Sequence, residues 1–154
     1  MAERAAAGFE RLRRASEAVL ARTGERPRVL AAATDAGKRA KAKLGFAREV
    51  LEVAGLKVVT RDGLGDGAAI AAAYAEAAAQ AVALSPADDL DGDRVVALLD
   101  AIGAALGAVP IALVGKVQAG ATSHARIESL PRLHAGANLV EALASLERAM
   151  GVSS

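Results

Sequence analysis

Beyond Pro27 the chain alternates between short apolar runs and stretches of helical periodicity. The apolar runs fall at 28–34, 56–60, 81–85, 110–114 and 132–134. Helical patterns fall between and after them, at 37–54, 66–79, 91–106, 119–128 and 138–150. Such βα alternation demands a parallel sheet, because each strand must return to the same edge through a helix that packs on a face. The run around Leu133 is the least regular, since Pro131 and Arg132 stand within it. Connections are short, and no low-complexity linker interrupts residues 28–150.

Five such strands predict an α/β, flavodoxin-like, doubly wound sheet of order 2-1-3-4-5 with helices on both faces. Residues 1–24 precede it. Phe9, Leu12, Ala15 and Val19 recur at near-helical spacing with Arg11, Arg13 and Arg14 between them, which predicts an amphipathic helix over 3–22. Gly24 suits its end, and Pro27 disfavours helix at the residue before it. The expected organisation is a connecting or docking helix in 1–24 and one domain in 25–154. The competing expectation is that the helix covers its own domain.

The core must be built from Ala, Val, Leu and Ile, because aromatic residues make up only 2% of the chain: Phe9, Phe46 and Tyr74. Small side chains allow close helix–sheet approach but bury less area each, so modest stability, assisted by a partner, is expected. Few rings also mean few stacking platforms for bases. The formal net charge of +1 gives no basic footprint for a nucleic acid or an anionic membrane. Without cysteine, disulfides, thiolate nucleophiles and Cys-based zinc sites are excluded. The first residues, Met1-Ala-Glu-Arg, do not read as a secretory signal, and the alanine run 68–79 is broken by Tyr74 and Glu76. The expectation is a soluble cytoplasmic protein.

In an open parallel sheet, ligands bind beyond the carboxyl ends of the strands. The segments to inspect are therefore 34–38, 61–67, 85–91, 115–118 and 134–138. In the second of these, Gly63-Leu-Gly-Asp-Gly-Ala68 matches a loose G-x-G-x-x-A pattern, with Asp88 and Asp89 further along. A nucleotide-dependent enzyme would use it to approach a pyrophosphate. It follows the second strand rather than the first, however, and a mobile Gly-rich turn is the simpler reading. Asp88, Asp89, Asp91 and Asp93 form an acidic run. A calcium loop counted from Asp89 would want Gly where Arg94 stands, so the carboxylates read instead as the start of a helix. Lys38, Arg39, Lys41 and Lys43 open the helix before them and oppose its dipole. They read as a solvated face, or as a site for cofactor phosphates, coenzyme A or an acidic partner. His124 and His134 stand alone, without a companion at metal-ligand spacing. Ser85-Pro86 lacks nucleophile-elbow glycines, and a phospho-receiver site would need an Asp where Ser85 ends the third strand.

Several segments together resemble the cobalamin-binding carboxyl-terminal domain of methylmalonyl-CoA mutase and related acyl-CoA mutases. They are Arg26-Pro-Arg-Val-Leu-Ala31, Phe46-Ala47 with Ala54-Gly55-Leu56, Ala83-Leu84-Ser85, and Leu133-His-Ala-Gly-Ala-Asn138. The resemblance runs from about Phe9 to Met150 and is nearest to the small, non-catalytic subunit of the heterodimeric enzyme. Counted back from Gly55, the Asp, His and Gly of the family's Asp-x-His-x-x-Gly signature fall at Lys38, Ala40 and Lys43. All three are replaced. The resemblance leaves Ser85, Gly115 and Gly136 as pocket remnants, although Ala87 and Lys116 depart from the pattern around them.

The resemblance therefore implies a degenerate cobalamin-type domain that is a structural or partner subunit of a cobalamin-dependent isomerase. Alone it would have no catalytic residues, no metal ligand and no expected cofactor. Its partner would be a larger chain bearing the acyl-CoA barrel, with neither nucleic acid nor membrane involved. The alternative is a binding module that retains cobalamin in base-on form, or another phosphate-bearing ligand. A preserved subunit predicts side chains filling the space above the sheet; a binding module predicts an open cleft.

Overall fold

The computed structural model describes residues 2–117 and 124–152. The elements are α1 (Ala2–Thr23), β1 (Arg28–Ala33), α2 (Lys38–Val53), β2 (Lys57–Arg61), α3 (Gly67–Ala77) and β3 (Ala81–Ser85). They continue with α4 (Gly92–Leu106), β4 (Ile111–Val114), α5 (His124–Glu128), β5 (Arg132–Leu133) and α6 (Leu139–Ala149). All five strands are parallel and run in the order β2-β1-β3-β4-β5, as the alternation predicts. The topological switch point lies between β1 and β3, whose register pairs Ala33 with Ser85. Residues 119–123 of the expected fifth helix lie outside the described residues. Among the described residues, no helix is long and apolar enough to cross a membrane.

Two cores flank the sheet, and their side-chain sizes are complementary. The strands turn Ala31, Ala33, Ala81, Ala83 and Ala112 toward α2 and α6, which answer with Leu44, Leu51, Leu143 and Leu146. On the other face the strands present Leu30, Val82, Leu84 and Leu113, and α3 answers with Ala73 and Ala77 beside Ile70. Large groups thus meet small ones at α2, α6 and α3, while α4 adds Val95, Leu99 and Ile102 to the second face, and the layers fill without aromatic bulk.

Local chemistry sets the helix starts. Asp66 Oδ1 accepts the Ala69 N–H at 2.8 Å, Asp91 Oδ1 that of Arg94 at 2.9 Å, and Asn138 Oδ1 that of Glu141 at 3.1 Å. The helix-start reading of the acidic run holds at Asp91. Helix α2 differs: Gly37 precedes it at φ 104° with no side-chain cap, and no acidic residue stands in its first turn. Helix α1 lies on the α2/α6 layer of its own chain, with Leu12, Ala15 and Ser16 buried. Gly8 is the point of closest approach, since a Cβ there would come within 2.5 Å of Val140.

Candidate functional site

The carboxyl ends of β1 and β3 are joined by hydrogen bonds before any ligand is considered. The Thr34 N–H donates to Ser85 O at 3.1 Å, and the Ala87 N–H donates to Thr34 Oγ1 at 2.9 Å. Above this junction the basic start of α2 reaches across. Lys43 Nζ donates to Pro86 O at 2.6 Å and lies 3.3 Å from Asp88 Oδ1. Arg39 Nε donates to Asp88 Oδ2 at 2.8 Å. The Arg39 bond holds the Asp88 carboxyl below the usual aspartate range against an opposing desolvation, with help from Lys43. Two members of the basic cluster are therefore spent on the acidic run of the same chain. Lys38 and Lys41 face solvent.

The remnant residues separate. Ser85 is fully buried, its side chain on the α2 side of β3 by the alternation that places Ala81 and Ala83 there. Its Oγ has no hydrogen-bond partner. Gly115 ends β4 at φ 87°, donates to Leu133 O at 2.9 Å, and would place a Cβ 3.3 Å from Lys43 Cε. The Lys43 stem, 13% exposed, thus spans the ends of β3 and β4. Gly136, at φ 88°, stands in the open loop after β5, with nothing within 4 Å of the position a Cβ would take. Ser85 and Gly115 come together at neighbouring strand ends; Gly136 stays outside them. His134 is half-buried, its Nδ1 2.8 Å from Ala135 O.

The positions aligned with the cobalamin signature do not form a loop. Lys38, Ala40 and Lys43 lie inside α2, and Ala40 is fully buried in the core with Leu44 and Ala47. An imidazole at Ala40 would be packed against the sheet rather than presented above it. The residues present do not fit a lower-ligand site for cobalt.

The Gly-rich segment after β2 has structural duties. Gly63 takes φ 69° and donates to Asp35 O at 2.8 Å, and Leu64 donates to Ala33 O at 3.0 Å. These bonds fasten the turn to the end of β1. Gly67 lets α3 approach α4, since a Cβ there would fall 2.6 Å from that of Ala101 and 3.1 Å from its carbonyl carbon. Two of the three glycines are thereby explained without a phosphate.

A recess of about 450 Å3 opens beside the switch point, between the acidic run and Lys116-Val117. Its walls carry Asp88, Asp89, Asp91 and Asp93, so its character is acidic. Asp91 is engaged as a cap and Asp88 as an ion-pair partner. Among the described residues, no group of three or more His, Cys, Asp or Glu is placed to hold a metal.

Residue spacing did not reveal the pairing of Arg39 and Lys43 with Asp88, or a second unusual group under α1. Glu147 of α6 is 2% exposed. Ser16 Oγ lies 3.3 Å from its Oε1 and 3.0 Å from Ala54 O, while Glu147 Oε2 has no partner. No protein-family model matches the chain, and no curated protein matches it.

Proposed function

We propose that this chain is a non-catalytic structural or partner subunit of an acyl-CoA mutase of the methylmalonyl-CoA type, its cofactor-type pocket closed by its own side chains. The observation that carries the reading is Lys43, laid from α2 across the ends of β3 and β4 onto Pro86 O and Asp88. The segments that resemble the mutase domain supply the class of partner, and the burial of Ala40 accounts for the missing ligand. The same reading has the chain act in the cytoplasm, with no chemistry of its own.

The test is a titration with adenosylcobalamin and hydroxocobalamin, read by absorbance and thermal shift, beside co-expression with a barrel-bearing mutase chain. Co-purification without a saturable spectral change or stabilisation supports the reading. Saturable cobalamin binding by the isolated chain refutes it.

One observation favours a second reading, a module for cobalamin or another phosphate-bearing ligand. Ser85 Oγ, at the end of β3, is buried and without a partner. A buried polar atom left unsatisfied costs about 1–3 kcal/mol, and a ligand would recover part of that. This reading predicts that inorganic phosphate or cobalamin raises the melting temperature of the isolated chain.

A further inference from the structure

Strand β2 is one edge of the sheet. The Lys57 N–H donates to Pro27 O, toward β1. Alternation then turns the N–H and C=O groups of Val58 and Thr60 to the free side. The Arg61 guanidinium of the same strand donates to Thr60 O at 2.9 Å. An edge of this kind is a template for another strand.

Two recesses, of about 540 and 380 Å3, flank this edge and share Arg48, so they form one groove between β2 and α2, with α1 at one end. Six cations, Arg13, Arg26, Lys41, Arg48, Lys57 and Arg61, line the edge against the carboxylates Glu17, Glu52 and Asp62. By alternation with Val58 and Val59, Lys57 and Arg61 project on the α3 side of the strand, and the other cations lie on the α2 side. Of the carboxylates, Glu52 is bound to Arg48 at 2.6 Å. Among the described residues, Arg13, Lys41 and Lys57 have no ion-pair partner. Glu17 and Asp62 are likewise without an ion-pair partner, so the surplus of the lining is that of its six cations over three carboxylates, in a chain whose formal net charge is only +1. Gly45 lies on the α2 wall, exposed and mid-helix, with nothing within 4 Å of the position a Cβ would take. Glycine there weakens the helix and no packing explains it, but it lets a chain lie close to the α2 backbone.

We propose that the free edge of β2 takes an extended acidic segment of a partner protein as a sixth strand. The main-chain groups of Val58 and the Thr60 N–H would pair with it, the incoming strand displacing the Arg61 guanidinium from Thr60 O, and its Glu or Asp side chains would reach cations on the face they share. A second copy of this chain is disfavoured, because pairing β2 with itself sets Lys57 and Arg61 against like charges. A single-stranded nucleic acid lacks its stacking partners, since neither phenylalanine nor Tyr74 lines the groove. The inference does not rest on the mutase reading.

The experiment uses the full chain and a fluorescein-labelled peptide of about eight residues alternating Glu and Val, long enough for one strand. Anisotropy reads affinity, and amide exchange by NMR reads the edge. Saturable binding is expected, with the Val58 and Thr60 amides becoming protected. Replacing Glu by Gln in the peptide, or introducing Lys41→Glu with Lys57→Glu in the protein, weakens binding by at least about tenfold. Thr60→Pro abolishes it while the fold persists, because that N–H serves no bond within the sheet. If Thr60→Pro does not fold, the charge-reversed double variant decides. The proposal is overturned by absent binding, by equal binding of the Gln peptide, by indifference to the charge reversal without amide protection, or by tighter binding of a single-stranded oligonucleotide.

Discussion

At the carboxyl end of the sheet, Arg39, Lys43 and Asp88 meet largely in the open, with the Asp88 side chain 56% exposed. Beneath α1, on the same side of the sheet, Glu147 lies almost wholly buried beside a single hydroxyl. The first cluster satisfies charge with charge in high dielectric, where each pair contributes little. The second leaves one carboxyl in a dry seam, where ionisation is opposed by burial and only weakly assisted by the Ser16 hydrogen bond, so its pKa is pushed up to about 7. Ser16 has one hydroxyl proton for two acceptors, Ala54 O and Glu147 Oε1. A neutral Glu147 resolves that shortage by donating in turn.

The two regions therefore answer pH with opposite signs. The folded pKa of Glu147 lies above its unfolded value, so the folded chain holds a proton that the unfolded chain has released. Stability falls as pH rises from about 4.5 to about 7 and then levels. The folded pKa of Asp88 is depressed, so its contribution is present above the ordinary aspartate value and is lost as pH falls through the lower folded one.

The largest expected effect comes from Glu147→Gln, which keeps the acceptor for Ser16 and removes the charge. At pH 8 the variant should be more stable than the parent by about 2 kcal/mol in urea titrations, the difference shrinking toward zero by pH 4. Identical pH profiles for the two proteins would mean that Glu147 ionises freely in the seam, and the contrast with Asp88 would vanish. Next comes Ser16→Ala, which strips the donor from Ala54 O and Glu147 Oε1 together. A loss of about 1–2 kcal/mol is expected at pH 5, since both acceptors stay buried. A smaller change would show that water enters the recess of about 260 Å3 that Arg11, Glu147 and Arg148 help to line.

Period and run length made the five strands and the bounds of every helix but the fifth legible in the sequence, and the count of alternating strands pointed to the fold class whose sheet order the chain adopts. What stayed hidden depended on contacts between distant residues. Gly67 read as one more glycine of a mobile Gly-rich turn, and only the approach of Ala101 from α4 explains it. Arg39 and Lys43 read as a solvated face because their partner, Asp88, lies some 45–49 residues away. Asp88 itself read as part of a helix start, which holds at Asp91, the cap, and Asp93, in the first turn of α4. Glu147 did leave a signal: it follows Leu143 and Leu146 on the apolar stripe of α6, where a carboxylate breaks the pattern. Ser16 shows the same signature beside Leu12 and Ala15. Ser85, Gly115 and Gly136 were grouped by the resemblance alone; which of them adjoin, and the lysine lying over Ser85 and Gly115, depended on the direction of a side chain that the packed helix settles.

The smallest expected effect is at the switch point. Asp88→Ala removes both ion pairs but leaves Lys43 bound to Pro86 O. At pH 7 its urea midpoint should move less than that of Ser16→Ala, and the difference from the parent should shrink in about 1 M salt, where the Debye length is about 3 Å. The two proteins should converge on acidification below the folded pKa of Asp88, because the parent then loses the same interactions by protonation. A midpoint shift as large as that of Ser16→Ala, or one indifferent to salt, would break the comparison. The exposed cluster would then be coupled to the buried core through Lys43, and closing the switch point would be part of what holds the domain together. A small, salt-sensitive shift leaves it as a fastening that orders the loops after β1 and β3 with little cost to release, while the larger effects, of either sign, lie in the seam under α1.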